Sequence, residues 1–237
     1  MNLLTPKSVI HLKQGNAIMV EDYLYIHSLS YPITVLGPGK RIALWFEGCS
    51  LNCPGCMAAS MKTRHQHNRM TVNEIFRKIE QAAEGLDGIT ISGGEPFEQA
   101  DALYEMVKLI RSETHLDIMV YSGYTIEELS EYSESSRQIL GLIDILIDGR
   151  FEEWNSNKKM WRGSDNQRMH LLSERAQKYK CFENARYGVK RTLSFELDKS
   201  NELKIIGIPE RGFIRQFEDA LLTKGMSIAG RNTNGND

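Results

Sequence analysis

The sequence predicts an α/β protein in which parallel strands alternate with amphipathic helices. Short apolar runs of strand length alternate along the chain with segments whose apolar residues recur at helical spacing. Such β-α-β units are right-handed and place their strands side by side in a parallel sheet. The capping-box patterns Thr71-Val-Asn-Glu74 and Thr125-Ile-Glu-Glu128 mark the starts of two of the helices.

The elements follow in a regular order. Buried strands are predicted at residues 41–47, 88–92, 117–121 and 143–148, and helices at residues 71–84 and 98–111 and from residue 125 onward. Before them, a weak strand pair is predicted at residues 17–20 and 23–27. After them, residues 192–197 and 202–208 flank a polar turn and predict a β-hairpin, and residues 212–222 predict a last helix. The polar end, residues 230–237, is expected to be disordered.

Three cysteines stand within eight residues after the first strand, in the spacing C-x3-C-x2-C. A loop this compact can aim Cys49, Cys53 and Cys56 at one soft metal centre. A disulfide cannot use all three, and the only other cysteine, Cys181, is distant in sequence and is interpreted as a plain thiol. An iron–sulfur cluster with one open iron, a zinc site completed by His65 or His67, and unligated buried thiols remain the alternatives.

Polar motifs follow each predicted strand of the parallel sheet, where ligands of such sheets bind. They are Gly48-Cys49, Gly93-Gly94-Glu95, Ser122-Gly123 and Asp148-Gly149. The paired glycines remove side chains beside a ligand and expose backbone hydrogen-bonding groups, and Glu95 could accept from an ammonium group. A plain strand-to-helix turn, with Glu95 as a first-turn helix charge, is the alternative. The convergence of four motifs at one edge predicts a ligand site there.

Composition limits the class of partner. The 237-residue chain has a formal net charge of −2, so no global basic field favours nucleic acid or an anionic membrane. No apolar run approaches twenty residues, and no signal peptide is recognised at the N-terminus. We therefore expect a cytoplasmic protein whose thiols stay reduced.

The motifs together resemble a known family. C-x3-C-x2-C after the first strand, with Gly93-Gly-Glu-Pro96 after the second, resembles the radical S-adenosylmethionine superfamily. Within it, the chain resembles the activating enzymes of anaerobic ribonucleotide reductases over residues 31–170. The further motifs that carry this likeness are Gly37-Pro-Gly39, Tyr121-Ser-Gly-Tyr-Thr125, Asp148-Gly149 and Trp161-Arg-Gly-Ser164.

The resemblance implies a partial TIM-like (β/α) barrel that holds one [4Fe–4S] cluster on Cys49, Cys53 and Cys56. It implies that S-adenosylmethionine binds the open iron and is cleaved reductively to methionine and a 5′-deoxyadenosyl radical. Residues expected to contact this cofactor are Gly55, Cys56, Met57, Gly93, Gly94, Glu95, Ser122 and Asp148. Many members carry an aromatic residue where this chain has Gly55, and Met57 is expected to supply the apolar surface instead.

The resemblance also implies a partner: a large glycyl-radical enzyme, with anaerobic ribonucleoside-triphosphate reductase as the first candidate and flavodoxin or ferredoxin as the reductant. Residues 1–30 are interpreted as an N-terminal extension, 31–170 as the radical core, and 171–237 as a C-terminal extension. Arg162 and Arg168 are expected to reach the crevice. The alternatives are a radical maturase that modifies a peptide or another protein, and a non-catalytic zinc-stabilised interaction module.

Overall fold

The computed structural model describes residues 22–155, 157–188, 191–197 and 203–225. The strand predicted at residues 17–20 and the end predicted to be disordered lie outside these ranges. The strands are β1 (Tyr23–Ile33), β2 (Arg41–Phe46), β3 (Arg69–Thr71), β4 (Gly88–Gly93), β5 (Asp117–Tyr121), β6 (Ile145–Asp148), β7 (Arg168–Leu171), β8 (Ser194–Leu197) and β9 (Leu203–Ile206). The helices are α1 (Val72–Ala82), α2 (Ala100–Glu113), α3 (Ile126–Tyr132), α4 (Glu134–Leu140) and α5 (Phe213–Leu222).

The centre of the fold is a mostly parallel sheet. Over the described ranges it has seven strands in the order β3-β1-β2-β4-β5-β6-β7. The pairs β2–β4, β4–β5 and β5–β6 are parallel, which confirms the predicted alternation of strands and helices. The flanking pairs are antiparallel. Neither β3 nor β7 was predicted, and β1 extends beyond the predicted strand at residues 23–27 and passes through residue 30.

The helices begin where the sequence predicts. Thr71 and Thr125 each form a capping box with the glutamate three residues later, so the first backbone N–H groups of α1 and α3 are satisfied. One face of α2 is buried through Leu103, Met106 and Ile110. This apolar stripe at helical spacing covers one face of the sheet.

The two faces of the sheet differ in what covers them. On the helix-covered face, alternate strand residues join one large apolar core: Ile42, Leu44, Ile89, Ile91, Ile118, Val120 and Leu146. The residues between them point to the opposite face, as the two-residue period of a strand requires. There Arg41 is fully buried, with Asp117 2.7 Å away, and its Nε donates to the hydroxyl of Thr90. The carboxyl-terminal end of this second face is open to a cavity.

The predicted C-terminal hairpin and helix are present as β8–β9 and α5. Ile206 and Ile208 are buried against Val35, Leu36 and Ala43, so the hairpin is packed on the second face of the sheet. In the part of the chain that the structure describes, no helix combines the length and the apolar character that a membrane span requires.

Candidate functional site

A cavity of about 430 Å³ lies at the carboxyl-terminal ends of the parallel strands. A volume of this size is typical of small-molecule sites. Its lining includes nine residues of the predicted motifs, namely Cys49, Cys53, Cys56, Gly93, Gly94, Glu95, Ser122, Gly123 and Gly149. Four stretches that are distant in sequence therefore meet at one cavity, as the topology of a parallel sheet predicts.

The cysteine loop is tied at its start to two other segments. The Gly48 N–H donates to the carbonyl of Met61 over 2.9 Å, and the Cys49 N–H donates to that of Lys62 over 3.1 Å. The Ser50 hydroxyl and backbone N–H both donate to Oε1 of Glu98, over 2.6 and 2.8 Å. These bonds fix where the loop leaves β2. All three cysteines are half-buried and free, and burial raises the pKa of the Cys49 thiol.

Gly93 and Gly94 hold strand β4 against the cysteine loop. A Cβ on Gly93, whose φ is +106°, would lie 2.4 Å from the backbone nitrogen of Phe46. A Cβ on Gly94 would lie 2.3 Å from the carbonyl oxygen of Gly48. The Glu95 N–H donates to that same carbonyl over 2.7 Å. Gly93 is therefore required by the backbone at the end of β2 and Gly94 by the backbone at the start of the cysteine loop, a reason beyond the ligand approach that the sequence suggested.

Glu95 places a carboxylate in the cavity wall, although its side chain is only 1% exposed. Its Oε1 accepts from the Phe97 N–H and the Ser122 hydroxyl, and its Oε2 accepts from the Gly123 N–H over 2.7 Å. Burial raises the pKa of Glu95 to about 7, and these hydrogen bonds only partly oppose the rise. Ser122 thus orients Glu95, so the second and third motifs act as one unit.

The floor of the cavity was not predicted from the sequence. Trp45 pairs with Ser92 in the register of β2 and β4, and both line the cavity together with Tyr121 from β5. The three residues lie at the same level on adjacent strands and on the same face. The strict alternation of the strands could have identified them, because each lies one residue away from a buried apolar residue.

The imidazole of His65, considered as a zinc ligand, is engaged elsewhere. Its Nδ1 lies 3.1 Å from Oε1 of buried Glu47, and its backbone N–H donates to Oε2. Asn68 and His27 also bond to this carboxylate. Burial acts to raise the pKa of Glu47, but the hydrogen bonds outweigh it and lower the pKa to about 2. Over the described ranges, no group of three or more His, Cys, Asp or Glu side chains is arranged to hold a single metal ion.

Asp148 is fully buried and directly precedes Gly149, which lines the cavity. Asp148 itself is not among the described residues that line the cavity. Its carboxylate accepts from Arg168 and from the Ile126 N–H, and Nε2 of His170 lies 3.0 Å from it. Burial opposes its ionisation, yet His170, Arg168 and the Ile126 N–H hold its pKa well below the usual range. Asp148 therefore anchors α3 and β7 at the end of β6.

The remaining predicted residues divide between the cavity and its surroundings. Met57 lines the cavity and is 56% exposed. Gly55 is not in the described lining; it has φ +65°, and a Cβ there would meet the carboxyl group of Glu153. Arg162 is buried and donates to the carbonyls of Met160 and Glu183, so it does not reach the crevice. Arg168 is held by Glu127 and Asp148 instead.

Comparison with known proteins agrees with this geometry. The family described as a 4Fe-4S single cluster domain, Fer4_12, matches residues 35–170. The anaerobic ribonucleoside-triphosphate reductase-activating protein of Vibrio cholerae is 32% identical over 151 residues, which cover 60% of this chain and 96% of that protein. The protein of the same name from Escherichia coli K12 is 31% identical over 150 residues, with the same coverage. That of enterobacteria phage T4 is 30% identical over 139 residues, covering 57% of this chain and 86% of the relative.

The matched region contains β2, β4, β5 and β6 and every cysteine of the loop. It therefore includes the parallel strands and the motifs that meet at the cavity. The chain belongs to the 4Fe-4S single cluster domain family and to the family of the anaerobic ribonucleoside-triphosphate reductase-activating proteins.

Proposed function

We propose that this chain is a radical S-adenosylmethionine enzyme that activates an anaerobic ribonucleoside-triphosphate reductase by generating a glycyl radical on it. One observation carries the proposal: three cysteines and the Gly93–Glu95 turn line a single cavity at the carboxyl ends of the parallel strands. The relatives are named as activators of anaerobic ribonucleoside-triphosphate reductase, and that name supplies the candidate partner.

The residues of the cavity fit the proposed cofactors. Cys49, Cys53 and Cys56 offer three soft sulfur donors, which suit an iron–sulfur cluster and leave one iron without a protein thiolate. The adjoining space of about 430 Å³ suits a small molecule beside the cluster. When bound, the cluster and S-adenosylmethionine supply the electron transfer and the radical chemistry, and the protein supplies binding, orientation and exclusion of water.

Glu95 is the group that we propose for the ammonium of the cofactor's amino-acid end. Its carboxylate is held in one orientation by Ser122 and by the backbone N–H groups of Phe97 and Gly123. Because burial raises its pKa to about 7, an ammonium group that enters the cavity would stabilise the ionised form. Gly93 and Gly94 keep this carboxylate next to the cysteine loop. Gly55 and Asp148 stay predictions as cofactor contacts.

The finer architecture and setting are also proposals. We propose that the second face of the sheet is the inner face of a partial TIM-like barrel, with residues 31–170 as the radical core and residues 171–237 as a C-terminal extension. We propose a cytoplasmic enzyme reduced by a flavodoxin or a ferredoxin, with no nucleic-acid or membrane partner. A net charge of −2 agrees with that choice.

The test is anaerobic reconstitution with iron and sulfide, followed by incubation with an anaerobic reductase, a reductant and S-adenosylmethionine. Electron paramagnetic resonance should show a glycyl doublet on the reductase. Cys53→Ala should abolish both the brown colour and the doublet. Cys181→Ala is the matched control, because Cys181 is exposed and outside the described lining, and it should retain both.

Two outcomes would contradict the proposal at different levels. If 5′-deoxyadenosine accumulates without a glycyl doublet, the superfamily stands and the reductase is the wrong partner. If the wild-type protein is isolated with zinc and stays colourless after incubation with iron and sulfide, the radical chemistry itself is refuted.

A further inference from the structure

One wall of the cavity comes from the C-terminal hairpin. Lys204, Ile205, Ile206, Gly207 and Ile208 line the same cavity as the three cysteines. These five residues, here called the C-terminal wall, lie beyond residue 170, where the match to the cluster family ends. The alignments with the Vibrio and Escherichia proteins include 96% of each relative but only 60% of this chain, so this chain has additional residues that these relatives do not match. This chain therefore surrounds its cavity with residues from outside the matched family region.

The C-terminal wall is packed in place. Ile206 and Ile208 are 3% and 7% exposed, and they lie in one apolar cluster with Val35, Leu36 and Ala43 of the sheet region. The Ser30 hydroxyl of β1 donates to Oε2 of Glu196 over 2.7 Å, and Glu196 lies on β8, the other strand of the hairpin. Burial of these apolar side chains makes the wall a fixed part of the cavity.

Lys204 brings a positive charge to this wall. It pairs directly with Glu196 across the hairpin, so their side chains share one face. That face is turned to β1, because Glu196 bonds to Ser30, and Ser28 of the same strand lines the cavity. Lys204 is half-buried. Among the described residues that line the cavity, it is the only lysine or arginine. Over the described ranges, no ion pair engages its ammonium group.

Glu95 and Lys204 give the cavity one carboxylate and one ammonium group. A ligand with an α-amino-acid end carries the opposite pair of charges, an ammonium and a carboxylate. We infer that Lys204 binds the carboxylate of the amino-acid end of S-adenosylmethionine while Glu95 receives its ammonium. This inference rests on the proposed function and adds a cofactor-binding residue from outside the matched family region.

The test compares two ligands on reconstituted holoenzyme by equilibrium binding. One is S-adenosylmethionine, and the other is decarboxylated S-adenosylmethionine, which keeps the sulfonium and the amine but lacks the carboxylate. Lys204→Met keeps much of the side-chain stem and removes the charge, and Lys204→Arg keeps the charge. Lys224→Met is the matched control, because Lys224 is exposed beyond the end of α5 and outside the described lining.

Lys204→Met should weaken the binding of S-adenosylmethionine by about tenfold, as expected for a lost charge-assisted hydrogen bond. It should leave the binding of the decarboxylated ligand unchanged, because the removed charge and the removed carboxylate are the two halves of one contact. Lys204→Arg should recover most of the affinity, and Lys224→Met should match the wild type.

Equal weakening for both ligands, or no weakening for either, would overturn the inference while the proposed function stands. Failure of the wild-type holoenzyme to bind S-adenosylmethionine would instead refute the proposed function. Both ligands are tested on the same preparations, so the two failures are distinguishable.

Discussion

The sheet region (residues 22–155 and 157–171) and the C-terminal unit (residues 191–197 and 203–225) contribute to the same cavity with very different degrees of burial. Every residue of β5 but the last is buried, and α2 buries six side chains. In the hairpin, Phe195, Leu197 and Leu203 are exposed, and none of the residues described in α5 is buried. The sheet region is therefore fixed by a large core, whereas the C-terminal unit is fixed mainly where its hairpin meets that core.

The proposed cofactor-binding residues lie mostly in the well-packed sheet region, and the less buried C-terminal unit supplies one wall of the cavity. The three cysteines, Glu95 and Ser122 are held by the sheet region, in the part that the cluster family matches. The C-terminal unit adds a wall to the cavity outside that part. We expect changes in the sheet region to destabilise the whole protein, and changes in the C-terminal unit to alter mainly what the cavity accepts.

The largest expected difference is in the stability lost when one of two phenylalanines, one in each region, is replaced by alanine. Phe97 is fully buried in the main core, whereas Phe217 is partly exposed and contacts Phe213 and Phe195. Phe97→Ala should lower the free energy of unfolding by about 4 kcal/mol because it leaves a cavity in the core. Phe217→Ala should cost about 1 kcal/mol. Denaturant titration of the metal-free protein measures both, and equal losses would contradict the contrast.

Glu95 should make stability depend on pH in an unusual direction. Its pKa rises from 4.5 in the unfolded chain to about 7 in the folded protein, so between these values the folded state binds the extra proton. The free energy of unfolding should therefore fall as the pH rises from about 4.5 to 7, by about 3 kcal/mol. Denaturant titrations of the metal-free protein across this window measure the fall.

Glu95→Gln is the control for this pH dependence, because an amide does not titrate. The fall attributed to Glu95 should be absent from the variant. If wild type and variant lose the same stability between pH 4.5 and 7, Glu95 does not carry the raised pKa.

The glycine turn should be intolerant of even one methyl group. Gly94→Ala would set a Cβ 2.3 Å from the Gly48 carbonyl, which should cost about 2 kcal/mol and reduce the iron bound per chain. Gly188→Ala is the matched control, since a Cβ there meets nothing within 4 Å, and it should stay within about 0.5 kcal/mol of wild type. Iron analysis and thermal unfolding test the pair, and normal iron content in Gly94→Ala would refute the packing argument.

The smallest expected effect concerns helix caps. Thr71 caps α1 through its side chain, whereas the N-cap residue of α5 is Gly212, which has no side chain to cap the helix. Thr71→Ala should lower the free energy of unfolding by about 1 kcal/mol, because one backbone N–H loses its partner. Thr71→Ser keeps the hydroxyl and should restore most of the loss in the same thermal unfolding experiment. A full loss in Thr71→Ser would show that packing, and not the cap, is responsible.

The sequence predicts the parallel strands and the first helices well because their signals are local. Apolar runs and capping boxes act within a few residues, and β2, β4, β5 and α1 follow them. The edge strand β7 has no such signal, since its residues are Arg168, Met169, His170 and Leu171. Because the sequence does not predict β7, it also does not predict that Arg168 and His170 of this strand contact the carboxylate of Asp148. The end of a strand predicts where a side chain lies, but it does not predict which neighbouring residues form hydrogen bonds with that side chain.

The site divides in the same way. The cysteines and the Gly93–Glu95 turn could be predicted because their spacing is specific to the chemistry. Lys204 and His27 could not, because they enter the cavity lining through the packing of the hairpin on the sheet and through the pairing of β1 with β2. The backbone contact of Gly94 with Gly48 likewise depends on the tertiary approach of two strand ends.

The most direct test of the central claim uses the reconstituted protein, reduced anaerobically, with electron paramagnetic resonance spectra recorded before and after S-adenosylmethionine is added. The account predicts about four irons per chain and a change in the g values of the cluster signal on addition, because the ligand occupies the iron that Cys49, Cys53 and Cys56 leave without a thiolate. A cluster signal that is identical with and without saturating S-adenosylmethionine would contradict it.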